Sequence, residues 1–225
     1  APETIEGYTK QQLRWATGGF EILFNRHPLH PKRALTLDQR LMYLVTATHY
    51  LTGIAPGILL MVPALEVFFD LRPVTLGTST WEWFFAYAGF YVMQILLASF
   101  TLGSFRWEVL MLATASFPIY HQALLNAFSG KEQQWHATGA STRKVSPFTF
   151  IRPQVYLFTF LALTSVVAIW RDVNNSQFSL ATAWNLTNTA VLGAFLVVAF
   201  AEHFAPDPAR VQARSPRRVP NRRQG

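Results

Sequence analysis

Four apolar blocks, each long enough to cross a bilayer, constrain this chain more than any other feature. They run from about Leu41 to Phe69, Trp83 to Leu102, Phe148 to Trp170 and Leu180 to Phe200. A hydrocarbon core of ~30 Å is crossed by about 20 apolar residues at ~1.5 Å each. The apolar residues lie in continuous runs, which reads as membrane spans and not as the alternating faces of soluble elements. Composition agrees: 51% of the chain is hydrophobic and only 14% charged, where a soluble domain carries roughly a quarter charged. The expected fold is all-α: a polytopic membrane helix bundle of about four transmembrane helices, with amphipathic interfacial helices beside it.

A fifth segment, about Trp107 to Phe128, has the length to span but carries Glu108, Pro118, His121 and Gln122. It reads as a helix lying along the interface. Charge tests this layout independently. Cutting the chain at the four blocks divides its 19 Lys and Arg as six, one, five, one and six. That alternation is the positive-inside pattern, and it would break if the fifth segment also crossed. It places both termini on the cytoplasmic side of the membrane. Most of the net charge of +7 then faces anionic lipid, so basicity points to the lipid bilayer as partner and not to nucleic acid. With no cysteine, neither a disulfide frame nor a thiolate metal site is available.

Three regions follow. Residues 1–40 hold an amphipathic interfacial helix, read over 8–25 with Thr9 as its cap, and a basic connector. Residues 41–204 are the transmembrane bundle, with the interfacial helix at about 107–128 and a polar cytoplasmic loop at 129–147. Residues 205–225 are rich in Arg and Pro and are expected to be a disordered basic tail. A chain that starts Ala1-Pro2-Glu3-Thr4, without an initiating Met, is expected to be a piece of something longer. Glu82 and Glu202, near span ends, are expected to reach out to the headgroups.

The first helix carries the most informative residues. Gln11, Arg14, Trp15 and Gly18 fall at i, i+3, i+4 and i+7, which share one helix face. That face offers an amide, a planar cation, a large ring and a gap. An indole stacks on the apolar face of a pyranose, an amide holds hydroxyls, and the planar fork of Arg suits phosphate. The same spacing equally suits an interfacial helix with a Trp anchor and a lipid-facing Arg.

Gln11-Gln12-Leu13-Arg14-Trp15 matches the QxxRW motif of processive family-2 glycosyltransferases, the cellulose synthase and hyaluronan synthase group. The surrounding Ala1-Pro2-Glu3-Thr4, Tyr8 and Arg14-Trp15-Ala16-x-Gly18 resemble the stretch downstream of the catalytic acidic motif in bacterial cellulose synthases. Arg40-Leu41-x-Tyr43-Leu44, the segment Glu108 to Asn126 and the stretch Pro147 to Pro153 resemble the family in the same order, over nearly the whole chain. The resemblance implies the C-terminal membrane part of an enzyme that polymerises sugar from a nucleotide donor. UDP-glucose built into β-glucan, or cellulose, with release of UDP is the favoured case, and the polymer is translocated across the membrane, which the resemblance implies is a cell (inner) membrane.

In such a family Trp15 would stack on the terminal sugar, while Gln11 and Arg14 would contact the acceptor or the nucleotide diphosphate. Mg2+ on the diphosphate and a carboxylate base would belong to a catalytic domain N-terminal to this chain. Here no Asp-x-Asp and no paired carboxylates suited to a metal occur, so no catalytic or metal-binding residue is expected in this part, which should be inactive alone. The family's gating loop, Phe-x-Val-Thr-x-Lys, finds its nearest match at Trp135-His136-Ala137-Thr138-Gly139-Ala140. Thr138 is kept, Trp135 replaces Phe and Ala140 stands in place of Lys; Lys131 or Lys144 could take that role in space. Candidate stacking faces for a passing glucan are His49, Tyr50, Tyr87 and Tyr91, alongside the ordinary role of such aromatics in interface belts. The expected partners are the bilayer, the nucleotide sugar and the growing polysaccharide, with room for a periplasmic or accessory export subunit. The rival reading is a non-enzymatic polytopic membrane protein or transporter subunit, in which Gln11, Arg14 and Trp15 only anchor a helix.

Overall fold

Thr36 sets where the first span begins. Its hydroxyl accepts the backbone N–H of Gln39, and the Gln39 side chain accepts the Thr36 N–H in return, a closed capping box that starts a helix firmly. The computed structural model describes residues 4–72, 79–130 and 148–204, and among them every regular element is helical. In chain order these are α1 (Ile5–Phe24), α2 (Leu37–Thr52), α3 (Ala55–Leu59), α4 (Val62–Phe69), α5 (Thr80–Leu102), α6 (Trp107–Ala115), α7 (Phe117–Ser129), α8 (Phe148–Asn174) and α9 (Leu180–Phe204).

Four segments among the described residues are long and apolar enough to cross a membrane: Leu37–Phe69, Thr80–Thr101, Phe148–Asn174 and Leu180–Glu202. The chain is a membrane protein with an all-helical fold. The first span differs from one continuous helix: it is broken into α2, α3 and α4 at Gly53-Ile54 and at Leu60-Met61. Pro56 and Pro63 sit at the second helical positions of α3 and α4, after Ala55 and Val62. Without an N–H, each leaves a carbonyl one turn earlier unpaired and crowds it, so the helix restarts around the ring. The segment expected to lie along the interface is likewise two helices, because Pro118 restarts α7 after Ser116. Gly130 ends α7 at φ +64, a left-handed turn that glycine adopts without strain.

Small and polar residues join the spans. Asn185, fully buried, donates to the Leu161 carbonyl at 2.8 Å and to the Ser165 hydroxyl at 2.8 Å. Ala168 and Ala181 are buried in the same seam. Gly193 lies so close to Phe158 that a Cβ there would meet the ring at 3.1 Å. Lipid tails are as apolar as Leu, so such close approaches and hydrogen bonds hold α8 to α9 in place of a hydrophobic drive. At one end of the bundle, the Asp172 carboxylate accepts the Ser179 N–H and hydroxyl, and Arg171 donates to the Glu66 carbonyl. These bonds bring the end of α4, the end of α8 and the start of α9 together. At the other end, Gln154 donates to the last carbonyl of α6, Ala115, at 2.8 Å.

Candidate functional site

The start of α1 is held by three contacts. Thr4, in extended backbone, caps the helix by accepting the Gly7 N–H at 3.0 Å. Thr9 therefore lies inside the helix and is not its cap, which moves the start from 8 back to Ile5. The Ile5 N–H donates to both carboxylate oxygens of Glu202, at 2.9 and 3.1 Å. A carboxylate at a helix N-terminus satisfies an otherwise unpaired donor and meets the positive end of the dipole. Glu202, expected to reach out to headgroups, is thus engaged by α1. Glu82 is engaged too, closing a capping box with Ser79. Since Glu202 stands near the end of α9, the two ends of the described chain meet at one end of the bundle. Tyr8 adds the third contact, its hydroxyl 3.1 Å from the Ser116 hydroxyl between α6 and α7.

One face of α1 is packed. Ala16 and Phe20 are fully buried against Ala123 and Ala127 of α7, with Leu13, Tyr50 and Tyr120 around them. Gly19 admits the Tyr50 ring so closely that a Cβ there would lie 2.6 Å from it. Phe24 meets Phe128 with ring centres 4.9 Å apart. The Tyr120 phenol is pushed up to about 12, chiefly by burial and further by the neighbouring Tyr8 and Tyr50 phenols; it stays a neutral member of this layer at any ordinary pH.

The opposite face is open, and it is the face of Gln11, Arg14, Trp15 and Gly18. At 100° per residue these four fall within one arc of about 100°, centred opposite Ala16, Phe20 and Leu23. Trp15 is 49% exposed. A Cβ on Gly18 would meet nothing within 4 Å. Gln11 and Arg14 are partly exposed and have no hydrogen-bond or ion-pair partner among the described residues. A cation, an amide and an indole ring stand together beside a gap, able to take phosphate, hydroxyls and the apolar face of a sugar. Lys10 flanks them, paired with Glu6 at 2.6 Å and 5.9 Å over the Phe150 ring of α8.

The remaining candidates are scattered. Trp135 and Thr138, with Lys131 and Lys144, lie outside the described residues. Tyr50 is taken up in the packing of α1 on α2 and α7, while its neighbour His49 is exposed. Tyr87 and Tyr91 are on α5, exposed, with Tyr87 stacked on Trp83 at 4.7 Å. The structure brings Tyr50 next to the α1 helix and leaves Tyr87 and Tyr91 on a separate span. Among the described residues no three His, Asp or Glu side chains gather to hold a metal, so no Mg2+ site is assigned to them.

Sequence reasoning missed Glu202, Ser116 and Tyr120 as parts of the α1 seat. The available signal was a lone carboxylate at the end of an apolar span, which suits a cap as well as a headgroup contact. It also missed a groove of about 560 Å³ between the broken first span and α7, lined by Gly57, Met61, Leu65, Phe117 and His121. Its one ionisable wall group, His121, donates from Nδ1 to the Phe117 carbonyl at 2.7 Å. No family model matches the chain.

Proposed function

We propose that this chain is the membrane-embedded C-terminal part of a processive glycosyltransferase that polymerises sugar from a nucleotide donor and passes the polymer through the membrane. The favoured donor is UDP-glucose and the favoured product β-glucan, as in cellulose synthesis. The observation that carries this reading is the open face of α1. Gln11, Arg14 and Trp15 are held on a helix fixed at its start and along its back, yet Gln11 and Arg14 make no hydrogen bond or ion pair among the described residues and Trp15 is half-exposed. A helix that only anchored the chain would have no need of so rigid a seat. In this reading Trp15 stacks on the terminal sugar, Arg14 pairs with the diphosphate through its planar fork, and Gln11 holds a sugar hydroxyl. Binding and orientation are the contribution of this part. The general base and Mg2+ belong to a catalytic domain upstream.

The layout supports the reading, since the resemblance calls for an interfacial helix followed by spans that bring the chain back to the same end of the bundle. That end is the cytoplasmic side of the inner membrane, given the Lys and Arg alternation. Donor turnover tests the proposal: the complete protein in membranes, supplied in turn with UDP-glucose and other nucleotide sugars, should release UDP and build insoluble polymer from one of them. No nucleotide release from any sugar donor contradicts it and leaves the non-enzymatic reading.

A further inference from the structure

The connector between α1 and α2 is folded around one side chain. Arg40, on the first turn of α2, donates from Nε to the Leu35 carbonyl at 3.1 Å. One terminal nitrogen donates to Pro28 at 2.9 Å and His30 at 3.0 Å, and the other to Arg33 at 2.7 Å. Backbone turns close His27 to His30, His30 to Arg33 and Arg33 to Leu35. The His27 and His30 rings accept the N–H groups of Leu29 and Lys32 through Nδ1. Four carbonyls drawn onto one guanidinium make this an ordered knuckle, a use of Arg that its five donors in a rigid fork allow and Lys cannot copy.

What the knuckle presents outward is cationic. Arg26, Lys32 and Arg33 are exposed, have no carboxylate partner among the described residues, and share residues 25–36 with no Asp or Glu. Beside them Leu29 is 48% exposed, and Leu37 and Leu41 on the adjoining turns of α2 are exposed as well. The knuckle adjoins the start of the first membrane-spanning segment at Leu37. Unpaired cations next to exposed leucines, at the end of a span, match the boundary between phosphate headgroups and acyl chains.

We propose that this Arg40-centred knuckle is a binding site for anionic phospholipid. Arg26, Lys32 and Arg33 meet the headgroup phosphate, and Leu29 the upper acyl chain. Charge complementarity selects the occupant, and the preformed backbone reduces the ordering that binding would otherwise cost. The site stands apart from the open face of α1 and does not depend on the glycosyltransferase reading.

The full chain in a neutral detergent, titrated with dioleoylphosphatidylglycerol and followed by native mass spectrometry and thermal unfolding, tests this. Each cation at an anionic surface contributes about fivefold in affinity. Arg26→Gln, Lys32→Gln and Arg33→Gln together should therefore weaken retention of that lipid at least about tenfold, with phosphatidylcholine retention unchanged. The same charge removed from the tail, at Arg217, Arg218 and Arg222, should change it less than about twofold. Arg40→Lys should weaken it despite equal formal charge; if that variant does not fold, the triple variant still decides. Equal loss in the tail and knuckle variants, or unchanged retention in the knuckle variant, would overturn the proposal. Displacement of the lipid by inorganic pyrophosphate would overturn it as well, by assigning the site to a soluble phosphate ligand.

Discussion

Helices α1 and α5 have similar lengths, 20 and 23 residues, and opposite relations to the rest of the molecule. α1 is charged and polar, yet it buries Ala16, Thr17, Gly19, Phe20 and Leu23. α5 is nearly all apolar, yet none of its described side chains is buried, and Phe85 and Phe100 are 79% and 89% exposed. It touches the bundle mainly at its first turns, through a Thr80 bond to the Phe178 carbonyl and the Trp83–Trp184 ring contact. In water the apolar helix would be the buried one. In a bilayer an apolar side chain is satisfied by lipid, so hydrophobicity sets depth while small residues and polar bonds set packing. A helix as polar as α1 cannot be satisfied by lipid and must be seated by protein.

Paired substitutions on the two helices can break this contrast. The largest effect is expected from Phe20→Ala, which empties a fully buried site and should cost about 3–5 kcal/mol. Phe100→Ala on α5 should leave the thermal midpoint in detergent unchanged, and a comparable loss there would refute the comparison. Next come the glycines. Gly19→Val forces a side chain into the Tyr50 ring and should cost about 1–3 kcal/mol. Gly18→Ala, one residue away and facing open space, should be neutral or slightly stabilising in the same assay.

Smaller changes sharpen the account of the seat. Glu202→Ala removes the carboxylate at the start of α1 and should cost about 1 kcal/mol. The sign that it acts on α1 is faster hydrogen exchange over residues 5–10 with the middle of α9 unchanged. The least effect at neutral pH is expected from Tyr120→Phe. A phenol pushed up to about 12 keeps its proton in the fold while the unfolded chain releases one near pH 10. The stability this confers is complete below pH 10 and is lost as pH rises toward 12. Tyr120→Phe should remove that part of the alkaline decline in an unfolding-versus-pH series.

The spans were legible because about twenty continuous apolar residues leave few alternatives, and because the Lys and Arg alternation checks them independently. The breaks were not drawn from Pro56, Pro63 and Pro118, although a missing N–H is a local and readable signal. The α1 face was legible too: residues at i, i+3, i+4 and i+7 must share a side of any helix. Whether that side packs or stays open was not, since it depends on Ala123, Tyr50 and Glu202, which are distant in sequence. The role of Arg40 was hidden for the same reason, because a single Arg before an apolar block looks like any positive-inside residue.

The central claim is that the open face of α1 is a sugar and diphosphate site and not a membrane anchor. Polymer yield from UDP-glucose with the complete protein in membranes, wild type against Trp15→Ala, tests it most directly, with membrane insertion and thermal midpoint measured on the same preparations. Loss of an aromatic stacking platform on the scale of about 1–3 kcal/mol known for ring–base stacking should lower yield about fivefold or more, with insertion and midpoint intact. Normal polymer yield from Trp15→Ala would contradict the account.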